Sequence, residues 1–422
     1  MPFCGFRRFI VICGPVGEAG WRPHRQGFEG TRPRSTSVDS PRQSTSLAGQ
    51  GVARCESPTP LLAAREMTPA NLNNAMSLPW EAFEHATFVE TLPTVTTKAG
   101  FDENSVFCAY DFCEKVGSGT YGTVYTAVEK STGRRVAVKE IGSGQKTGRN
   151  KSSGCNMARQ EARIMEALQD CSSVVGFKHC FQGDGKKKYS YIVMELCGGG
   201  DLEHFTEENG PIMEGQAGVV AFEALNMLRS CHQKRILHGD VKPANFMIHS
   251  EIQHQIFKHG PTRLLRPGWL KGIDFGTCQQ LGYGGVTKRV GTPTHWSPEV
   301  FGGHYYTEAD MWSLGVLVYE LMAGRNPFFT KDEERAMRSS TEILRAVMQR
   351  KPDFSYGPWL ECSPQGIDFI KGLLTLDPRV RMKACEGLQH PWVKMHQTWR
   401  KKERPFFQGK PVELDTFIPC FA

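Results

Sequence analysis

The sequence lacks the patterns that mark several large classes of protein. Its 14 cysteines include no CxxC pair and no Cys/His spacing typical of a metal site, so we expect reduced, mostly buried thiols rather than a zinc module. No apolar run is long enough to cross a membrane, because the best candidate, residues 314–323, contains Glu320. No internal repeat is present. Zinc modules, membrane-spanning proteins and repeat arrays are therefore disfavoured.

A strong charge imbalance is also missing. The chain has 51 Lys and Arg against 44 Asp and Glu, a formal net charge of +7 over 422 residues. This excess is small for the length and is explained by solubility, so we predict no nucleic-acid partner. Hydrophobic residues make up 39% of the chain, which is enough for one large two-lobed domain with additional tails.

Lysine is absent from residues 1–66, where nine Arg and ten Ser or Thr occur with only five acidic residues. No helical or strand periodicity persists there, so this stretch is predicted to be disordered, and the mostly disordered extension is expected to reach residue 109. Arg- and Ser-rich, acid-poor N-termini also resemble organelle transit peptides. We therefore expect a cytoplasmic protein, with organelle import through the N-terminus as the alternative.

A glycine-rich segment opens the patterned part of the chain and reads as strand, turn and strand. It consists of Val116, Gly117, Ser118, Gly119, Thr120, Tyr121, Gly122, Thr123 and Val124. The residues after it predict a hairpin over 124–128 and 135–138 rather than a helix, which favours a glycine flap over phosphates to a Rossmann turn. Lys139 ends the second of these strands. A surface position is the ordinary interpretation of a lone Lys, but the spacing from the glycine segment predicts a phosphate ligand.

The next patterns predict a small sheet with one helix. A helix over 157–168 carries Glu161, the candidate partner of Lys139, with Glu166 as the weaker candidate. Two further strands complete an antiparallel sheet. The stretch 195–201 is rich in glycine and indicates a hinge, after which the pattern becomes mostly helical.

Residues 238–245 concentrate side chains suited to phosphoryl transfer. Asp240, Lys242 and Asn245 are spaced two and three residues apart, so one turn can direct all three into a small volume. A carboxylate accepts a hydroxyl proton, an ammonium neutralises a phosphate oxygen, and an amide oxygen binds a hard cation. Alone, these residues could equally form an ordinary loop. The motifs on both sides of them decide between the two interpretations.

Five motifs occur in a fixed order and resemble the signature set of the eukaryotic protein kinases over about residues 110–392. They are the glycine segment, Val136-Ala137-Val138-Lys139, the Asp240/Asn245 loop, Asp274-Phe275-Gly276 and Ser297-Pro298-Glu299. Each motif alone is weak, whereas the ordered set is specific. Lys242 and Gly291-Thr292 resemble the serine/threonine branch. The segment 238–247 and His390-Pro391-Trp392 are most similar to the calcium/calmodulin-dependent group.

The resemblance implies an α+β, two-lobed protein kinase fold. A small lobe over 110–194 would contain an antiparallel β-sheet with one main helix, and a hinge would span 195–201. A mostly helical large lobe would cover 202–392, followed by a tail over 393–422. The implied activity is transfer of the γ-phosphate of ATP to Ser and Thr hydroxyls of protein substrates, with Mg²⁺ as the metal.

The same resemblance gives each site residue a role. The glycine segment would cover the phosphates of ATP, and Lys139, held by Glu161, would contact them. Asp240 would be the catalytic base, with Lys242 beside it. Asn245 and Asp274 would be the Mg²⁺ ligands. The adenine would be surrounded by Ala137, the gatekeeper Met194, Glu195 and Cys197. Asp201 resembles a residue that binds ribose or a basic substrate side chain. Glu299 and Arg381 resemble a structural ion pair of the large lobe.

Several positions depart from the family pattern. Gly239 stands where most members have an Arg that pairs with a phosphorylated residue of the activation segment, and Lys288 stands where that residue commonly lies. We therefore expect activity without phosphorylation of this segment, with Thr287 as the alternative phosphate site. Ala244 replaces a Glu of some kinases that prefer basic substrates, which weakens a prediction of Arg-directed specificity. Ser297 replaces an Ala, a mild change.

Asn245 and Asp274 are 29 positions apart, about twice the usual family spacing. The extra residues, about 249–267, are rich in Lys, Arg and His and are predicted to form a solvated surface loop, with a docking role as the alternative. Together with Gly239, this insertion is the reason to consider a pseudokinase that acts as an ATP-binding scaffold. The complete phosphate-handling set favours an active enzyme instead.

The segment 399–407 combines basic residues with aromatic residues at its ends. Calmodulin targets combine such features on a helix, so a calmodulin-type partner is one interpretation of this tail. Pro405 interrupts a continuous helix, which favours the alternative of a tail packed on the large lobe.

Overall fold

The structure is a computed structural model and describes residues 104–119, 122–142, 153–181 and 189–397. In chain order its elements are α1 (Asn104–Ala109), β1 (Tyr110–Gly119), β2 (Gly122–Glu129), β3 (Arg135–Gly142), α2 (Ser153–Ala167), β4 (Phe177–Phe181), β5 (Tyr189–Glu195), α3 (Leu202–Asn209), α4 (Glu214–Gln233), β6 (Ile236–Leu237), β7 (Phe246–Ile248), α5 (Glu251–His259), β8 (Leu270–Gly272), β9 (Gln279–Gln280), α6 (Pro298–Gly302), α7 (Glu308–Ala323), α8 (Lys331–Ala336), α9 (Ser340–Gln349), α10 (Pro364–Leu373), α11 (Ala384–Gly387) and α12 (Pro391–His396). Residues 1–103 of the N-terminal extension, Thr120, Tyr121 and the segment 399–407 lie outside the described residues.

A five-stranded antiparallel sheet in the order β1-β2-β3-β5-β4 forms the small lobe, as predicted. Its central strand β3 is buried on both faces because consecutive side chains point to opposite sides. Val136 and Val138 pack in the cluster that contains Val106. Ala137 and Ile141 belong to the main core, together with residues of α2.

The folded region starts earlier than predicted. Helix α1 begins at Asn104, and its Val106 is fully buried beneath the sheet near Tyr110 and Phe181. A six-residue helix is too short to give a recognisable periodicity, which explains why order was predicted only from Tyr110. Helix α2 likewise begins at Ser153, four residues before the predicted start.

Helices dominate the large lobe, as predicted. In α4, the stripe formed by Val220, Ala224, Met227 and Cys231 is fully buried. Helix α7 packs against α4 and is buried on nearly all sides, so it can anchor loops that approach from several directions. No helix within the described ranges is long and apolar enough to cross a membrane. The ten cysteines of these ranges are free thiols, as predicted, but only four of them are buried.

The ion pair predicted in the large lobe is present. Arg381 contacts Glu299 through two bonds, Nη1 to Oε1 at 2.5 Å and Nη2 to Oε2 at 3.1 Å. Its guanidinium also donates to the carbonyls of Glu308, Thr375 and Leu376. Both partners are buried, so this pair holds α6 against α7 and the segment that precedes α11.

The insertion over residues 249–267 lies mostly at the surface, as predicted, but the prediction that it is a loop is wrong. This insertion forms helix α5, capped by Ser250, and a short 3-10 turn over Thr262–Leu264. Phe257 is 1% exposed, and its ring lies 4.8 Å from that of Trp269 and 4.9 Å from that of Phe205. The sparse apolar residues of a basic stretch therefore provide a buried anchor, while Lys258, Arg263 and Arg266 remain exposed.

Candidate active site

A buried carboxylate holds the start of the loop formed by residues 238–245, called the catalytic loop below. Asp310, near the start of α7 and 1% exposed, accepts the backbone N–H of His238 at 2.9 Å and that of Gly239 at 2.8 Å. Gly239 has a φ of 77°, a left-handed conformation that glycine adopts without steric cost. The two charge-assisted bonds hold the loop in this conformation directly before Asp240.

Asp240, Lys242 and Asn245 converge as the sequence predicts. Asn245 donates its Nδ2 to the carbonyl of Asp240 at 2.7 Å and to Oδ2 at 3.0 Å. Thr292, 52 residues further on, donates its hydroxyl to Oδ1 of Asp240 at 2.7 Å. Lys242 Nζ lies 2.9 Å from Thr292 Oγ1 and 3.3 Å from Asp240 Oδ2. Both carboxylate oxygens are therefore held in a fixed direction by neighbouring donors.

A second cluster joins the two lobes. Lys139 on β3 contacts Glu161 of α2 at 2.6 Å and Asp274 at 2.8 Å, which confirms Glu161 over Glu166 as its partner. Burial alone would lower the pKa of Lys139, but the carboxylates of Asp274 and Glu161 raise it well above its ordinary value. The ammonium group is therefore charged and is positioned by the two lobes together.

The two clusters are connected through the Asp-Phe-Gly motif. The ring of Phe275 lies 5.4 Å from that of His238 in an edge-to-face arrangement, and Thr277 donates its hydroxyl to the carbonyl of His238 at 2.9 Å. Asp274 itself has a left-handed φ of 59° and accepts the N–H of Gly276. These contacts place Asp274 between Lys139 and the catalytic loop.

Asn245 and Asp274 have the chemistry expected of magnesium ligands. Because Asn245 uses its amide nitrogen toward Asp240, the group that it offers to a cation is the oxygen. No group of three His, Cys, Asp or Glu able to hold a metal occurs among the described residues. Mg²⁺ in phosphoryl-transfer sites is bound by one or two protein ligands plus substrate phosphates. The donor set therefore fits Mg²⁺ that arrives with a nucleotide.

The glycine segment forms the turn between β1 and β2. Gly119 pairs with Gly122 across the hairpin, and Thr120 and Tyr121 at its tip are outside the described residues. A Cβ on Gly122 would lie 2.1 Å from the carbonyl oxygen of Glu140, so no larger residue fits there. The flanking residues Val116, Gly117, Ser118, Thr123 and Val124 all lie on these two strands, as predicted.

The hinge follows β5 without a break. Ala137 pairs with Met194 across the sheet, and both are buried. Glu195 ends β5, and its pKa is lowered to about 2 because bonds from His249, the N–H of Gly176 and Lys271 outweigh the effect of burial. Cys197 is also buried, which raises the pKa of its thiol to about 12. The predicted gatekeeper and hinge residues therefore form one continuous edge.

Asp201 has a structural role that the sequence did not indicate. Its Oδ1 accepts the N–H of His204 at 2.9 Å and caps the N-terminus of α3. Burial raises the pKa of this carboxyl group. The residue still lies at the end of the hinge, but the cap uses one carboxylate oxygen, so a contact with ribose or a basic side chain would have to be made alongside it.

The activation segment, residues 274–299, is held by side chains that donate hydrogen bonds to backbone carbonyls. Trp296 donates its Nε1 to the carbonyl of Val290, and Tyr305 donates its hydroxyl to the carbonyl of Lys288, both at 2.6 Å. Arg289 donates to the carbonyl of Phe301. Each contact joins residues six to seventeen positions apart. The segment is therefore ordered by side-chain bonds to its own backbone and to α6.

Sequence reasoning missed Thr292 and Asp310 as parts of the site. The sequence marks Thr292 only by its resemblance to the serine/threonine branch, and Asp310 belongs to none of the five motifs. Both act across 50 to 72 residues of chain, and no local periodicity reports such contacts. His295, whose Nε2 lies 3.0 Å from Glu320 Oε2, was missed for the same reason.

Comparison with known proteins agrees with this geometry. The family model described as "Protein kinase domain" matches residues 110–393. CDPK-related kinase 7 of Arabidopsis thaliana is 34% identical over 289 residues, which are 67% of this chain and 46% of that protein. Calcium-dependent protein kinase 9 of the same plant is 30% identical over 328 residues, 76% of this chain and 55% of the relative.

Calcium/calmodulin-dependent serine/threonine-protein kinase 1 of Oryza sativa subsp. japonica is 33% identical over 308 residues, 72% of this chain and 47% of that protein. The chain thus spans about half the length of the curated relatives it matches. The match covers both lobes and every motif of the site. The chain belongs to the eukaryotic protein kinase family, in its calcium/calmodulin-dependent group.

Proposed function

We propose that this protein is a serine/threonine protein kinase that transfers the γ-phosphate of ATP to hydroxyl groups of protein substrates. The observation that carries the proposal is the assembled pair of clusters, Asp240 with Lys242 and Asn245, and Lys139 with Glu161 and Asp274. Phosphoryl transfer requires little covalent chemistry from a protein. Positioning and charge neutralisation supply most of the acceleration, and the clusters provide both.

In this proposal, Asp240 orients the substrate hydroxyl and accepts its proton. The donors around its carboxylate, from Asn245 and Thr292, fix the direction in which the group can accept. Lys242 places a positive charge 3.3 Å from the same carboxylate, where it neutralises a phosphate oxygen that arrives beside the hydroxyl. A preformed carboxylate does not have to reorganise when the proton transfers.

The nucleotide would lie between the glycine segment and the large lobe. Lys139 would contact the α- and β-phosphates, and the backbone of the hinge from Glu195 to Cys197 would contact the adenine. When bound through Asn245 and Asp274, Mg²⁺ supplies the charge that neutralises the phosphate oxygens. The contact between Lys139 and Asp274 keeps the phosphate ligand and the metal ligand at a fixed spacing.

The pseudokinase alternative finds no support in the site. The long insertion does not separate Asn245 from the Asp274 segment, because the N–H of Ile273 donates to the carbonyl of Asn245 at 2.9 Å. The N–H of Gly239 donates to the carboxylate of Asp310, as does the N–H of its neighbour His238. Both features that raised the alternative are therefore accommodated without loss of a phosphate-handling group.

The test is magnesium-dependent transfer of labelled phosphate from ATP to casein or myelin basic protein, followed by phosphoamino-acid analysis. We expect label on Ser and Thr, its loss with EDTA, and its loss in the Lys139→Met variant. Label on Tyr alone would contradict the substrate class. Absence of both substrate labelling and autophosphorylation in folded protein would contradict the proposed activity.

The proposal extends to a calmodulin-type partner at the basic and aromatic segment 399–407. Its support is the composition of that segment and the calcium or calmodulin dependence named for the relatives. A synthetic peptide of residues 393–410 should bind calmodulin at micromolar concentration in calcium and not in EGTA. A peptide with Trp399 and Phe406 changed to Ala is the control. No calcium-dependent binding of the unmodified peptide would end this part of the proposal.

A further inference from the structure

We propose that helix α5 and the two residues before it form a strap behind the hinge, and that His249 and His254 are positioning residues for nucleotide binding. The term strap is used here for residues 249–259. The inference rests on the proposed function, because it assigns to the insertion a role in holding the adenine-binding edge. Neither histidine would contact the nucleotide, and both would act through the hinge.

The first contact of the strap is with the side chain of Glu195. His249 Nε2 lies 2.8 Å from Glu195 Oε1, while the other oxygen, Oε2, accepts the N–H of Gly176 at 2.9 Å and lies 3.3 Å from Lys271 Nζ. Glu195 is therefore tied at one time to the strap, to the loop before β4 and to β8. Burial raises the pKa of Glu195, but these donors outweigh it and lower the pKa, which favours the ionised carboxylate.

The second contact is with the backbone of the hinge. His254 Nδ1 lies 2.7 Å from the carbonyl of Gly199, and it must donate because a carbonyl oxygen only accepts. The N–H of Gly198 donates to the carbonyl of His249 at 3.0 Å, and the N–H of Gly199 donates to that of Ile248 at the same distance. Strap and hinge thus lie edge to edge.

The fit at Gly199 leaves no space between them. A Cβ on this glycine would lie 2.7 Å from the carbonyl oxygen of Ser250 and 2.7 Å from the Cγ2 of Ile248. Contacts below 3.0 Å would force one of the two segments to move. The hinge therefore cannot approach β7 more closely, and the two histidines prevent it from moving away.

The far end of the strap is anchored in the core. Phe257 packs between Phe205 and Trp269, and its carbonyl accepts the side-chain amide of Gln216 at 2.6 Å. The N–H of His249 donates to the carbonyl of Trp269 at 2.8 Å. Because the strap is fixed at both ends, it holds the hinge in a set position relative to the large lobe.

The strap connects the hinge, which would contact the adenine, to Asn245, which would hold the metal. The strap starts one residue after β7, and β7 follows Asn245 directly. A nucleotide that contacts both the hinge and a metal held by Asn245 needs a set spacing between them. Loss of a strap contact should therefore weaken nucleotide binding, while the chemistry at Asp240 continues once the nucleotide is bound.

The experiment compares His249→Ala and His254→Ala with His259→Ala in the full-length protein. His259 is the matched control because it ends the same helix and is exposed, and its side chain makes no hydrogen bond within the described residues. Calorimetry gives the Kd for the non-hydrolysable analogue AMP-PNP with Mg²⁺. Steady-state assays give KM for ATP, KM for the protein substrate and kcat.

We expect Kd and KM for ATP to rise about five-fold in His249→Ala and in His254→Ala, with kcat and the KM for protein substrate within about two-fold of wild type. His259→Ala should match wild type in all four. His249→Gln, which keeps a donor for Glu195, should recover most of the lost affinity. In a Glu195→Gln background, His249→Ala should have a smaller effect, because the two residues share one interaction.

Unchanged nucleotide affinity in both strap variants would overturn the proposal. So would a fall in kcat and melting temperature without a change in KM for ATP, because that pattern reports a general structural role. An effect of His259→Ala equal to that of the strap variants would overturn it as well. Since the AMP-PNP measurement does not depend on turnover, failure of the strap is distinguishable from failure of the proposed activity.

Discussion

Replacing Gly239 by Ala tests the unusual start of the catalytic loop. At this position φ is 77°, and the added Cβ would lie 2.9 Å from Cγ2 of Val290 and 3.5 Å from the carbonyl oxygen of Thr277. Val290 thus occupies the space that a side chain at position 239 would need. Val290 belongs to the activation segment, so this segment packs directly against the catalytic loop at Gly239.

The expected loss of stability has two parts. A non-glycine residue in the left-handed region costs about 1–2 kcal/mol. Moving the half-buried Val290 off its preferred rotamer adds about 0.5–1.5 kcal/mol. Gly239→Ala should therefore lower the free energy of unfolding by about 1.5–3.5 kcal/mol.

The matched control is Gly133→Ala. Gly133 has a φ of 69°, and a Cβ there would have no neighbour within 4 Å, so this variant carries the backbone cost alone. Both substitutions stiffen the unfolded chain equally. Urea denaturation of the two variants and the wild type gives the difference, which should be about 0.5–1.5 kcal/mol in favour of Gly133→Ala. Equal losses, or a smaller loss at Gly239, would refute the close packing of Val290 against the catalytic loop.

Three further predictions concern stability, pH and regulation. Glu299→Ala should cost about 3–5 kcal/mol of unfolding free energy, because it leaves the buried guanidinium of Arg381 without a counter-charge; a urea-denaturation loss below about 1 kcal/mol would contradict this. Burial lowers the pKa of His295, but the carboxylate of Glu320 outweighs it and raises the pKa above the ordinary value. The stabilisation from the protonated pair is therefore complete below about pH 6.5 and is lost as pH rises through the higher folded pKa. The stability advantage of the wild type over His295→Gln should shrink as the pH rises above about 6.5, and a difference that stays constant would count against the pair. Thr287→Ala and phosphatase-treated wild type should both keep turnover within about ten-fold of untreated protein, and a larger loss in either would reveal a phosphate switch.

The sequence was sufficient for features that local patterns encode. The hairpin of β2 and β3 follows from alternating apolar residues and a turn at Ser131-Thr132-Gly133. The buried stripe of α4 follows from helical spacing, as in Val220 and Ala224. The pairing of Lys139 with Glu161 followed from the resemblance to a family with a known arrangement. These features depend on neighbours in the chain or on a motif order that is specific as a set.

Contacts between distant segments could not be read in the same way. Asp310 accepts two N–H groups that lie more than 70 residues earlier, and nothing in an apolar helix signals that its first-turn carboxylate points at a loop. The many charges of the insertion predict its surface position but not its helix, whose anchor Phe257 is buried against the rings of Phe205 and Trp269. Side-chain chemistry is visible in a sequence, whereas the partner that determines its use is set by the fold.

Asp240→Asn gives the most direct test of the proposed mechanism. The amide keeps the size of the carboxylate. Its single oxygen can still accept from Asn245 while its NH2 group faces the hydroxyl of Thr292, but it cannot accept a proton from a substrate hydroxyl. The control is Asp332→Asn, an exposed carboxylate on α8 that lies 3.3 Å from Nη1 of Arg335.

The measurement is the single-turnover rate of phosphate transfer to a protein substrate, taken beside the Kd for AMP-PNP. Asp240→Asn should lose more than about ten-fold in rate, equivalent to at least about 1.4 kcal/mol of barrier, with the Kd within about two-fold of wild type. Asp332→Asn should match wild type in both. An Asp240→Asn protein that keeps more than about a tenth of the wild-type rate would contradict the role of Asp240 as the catalytic base.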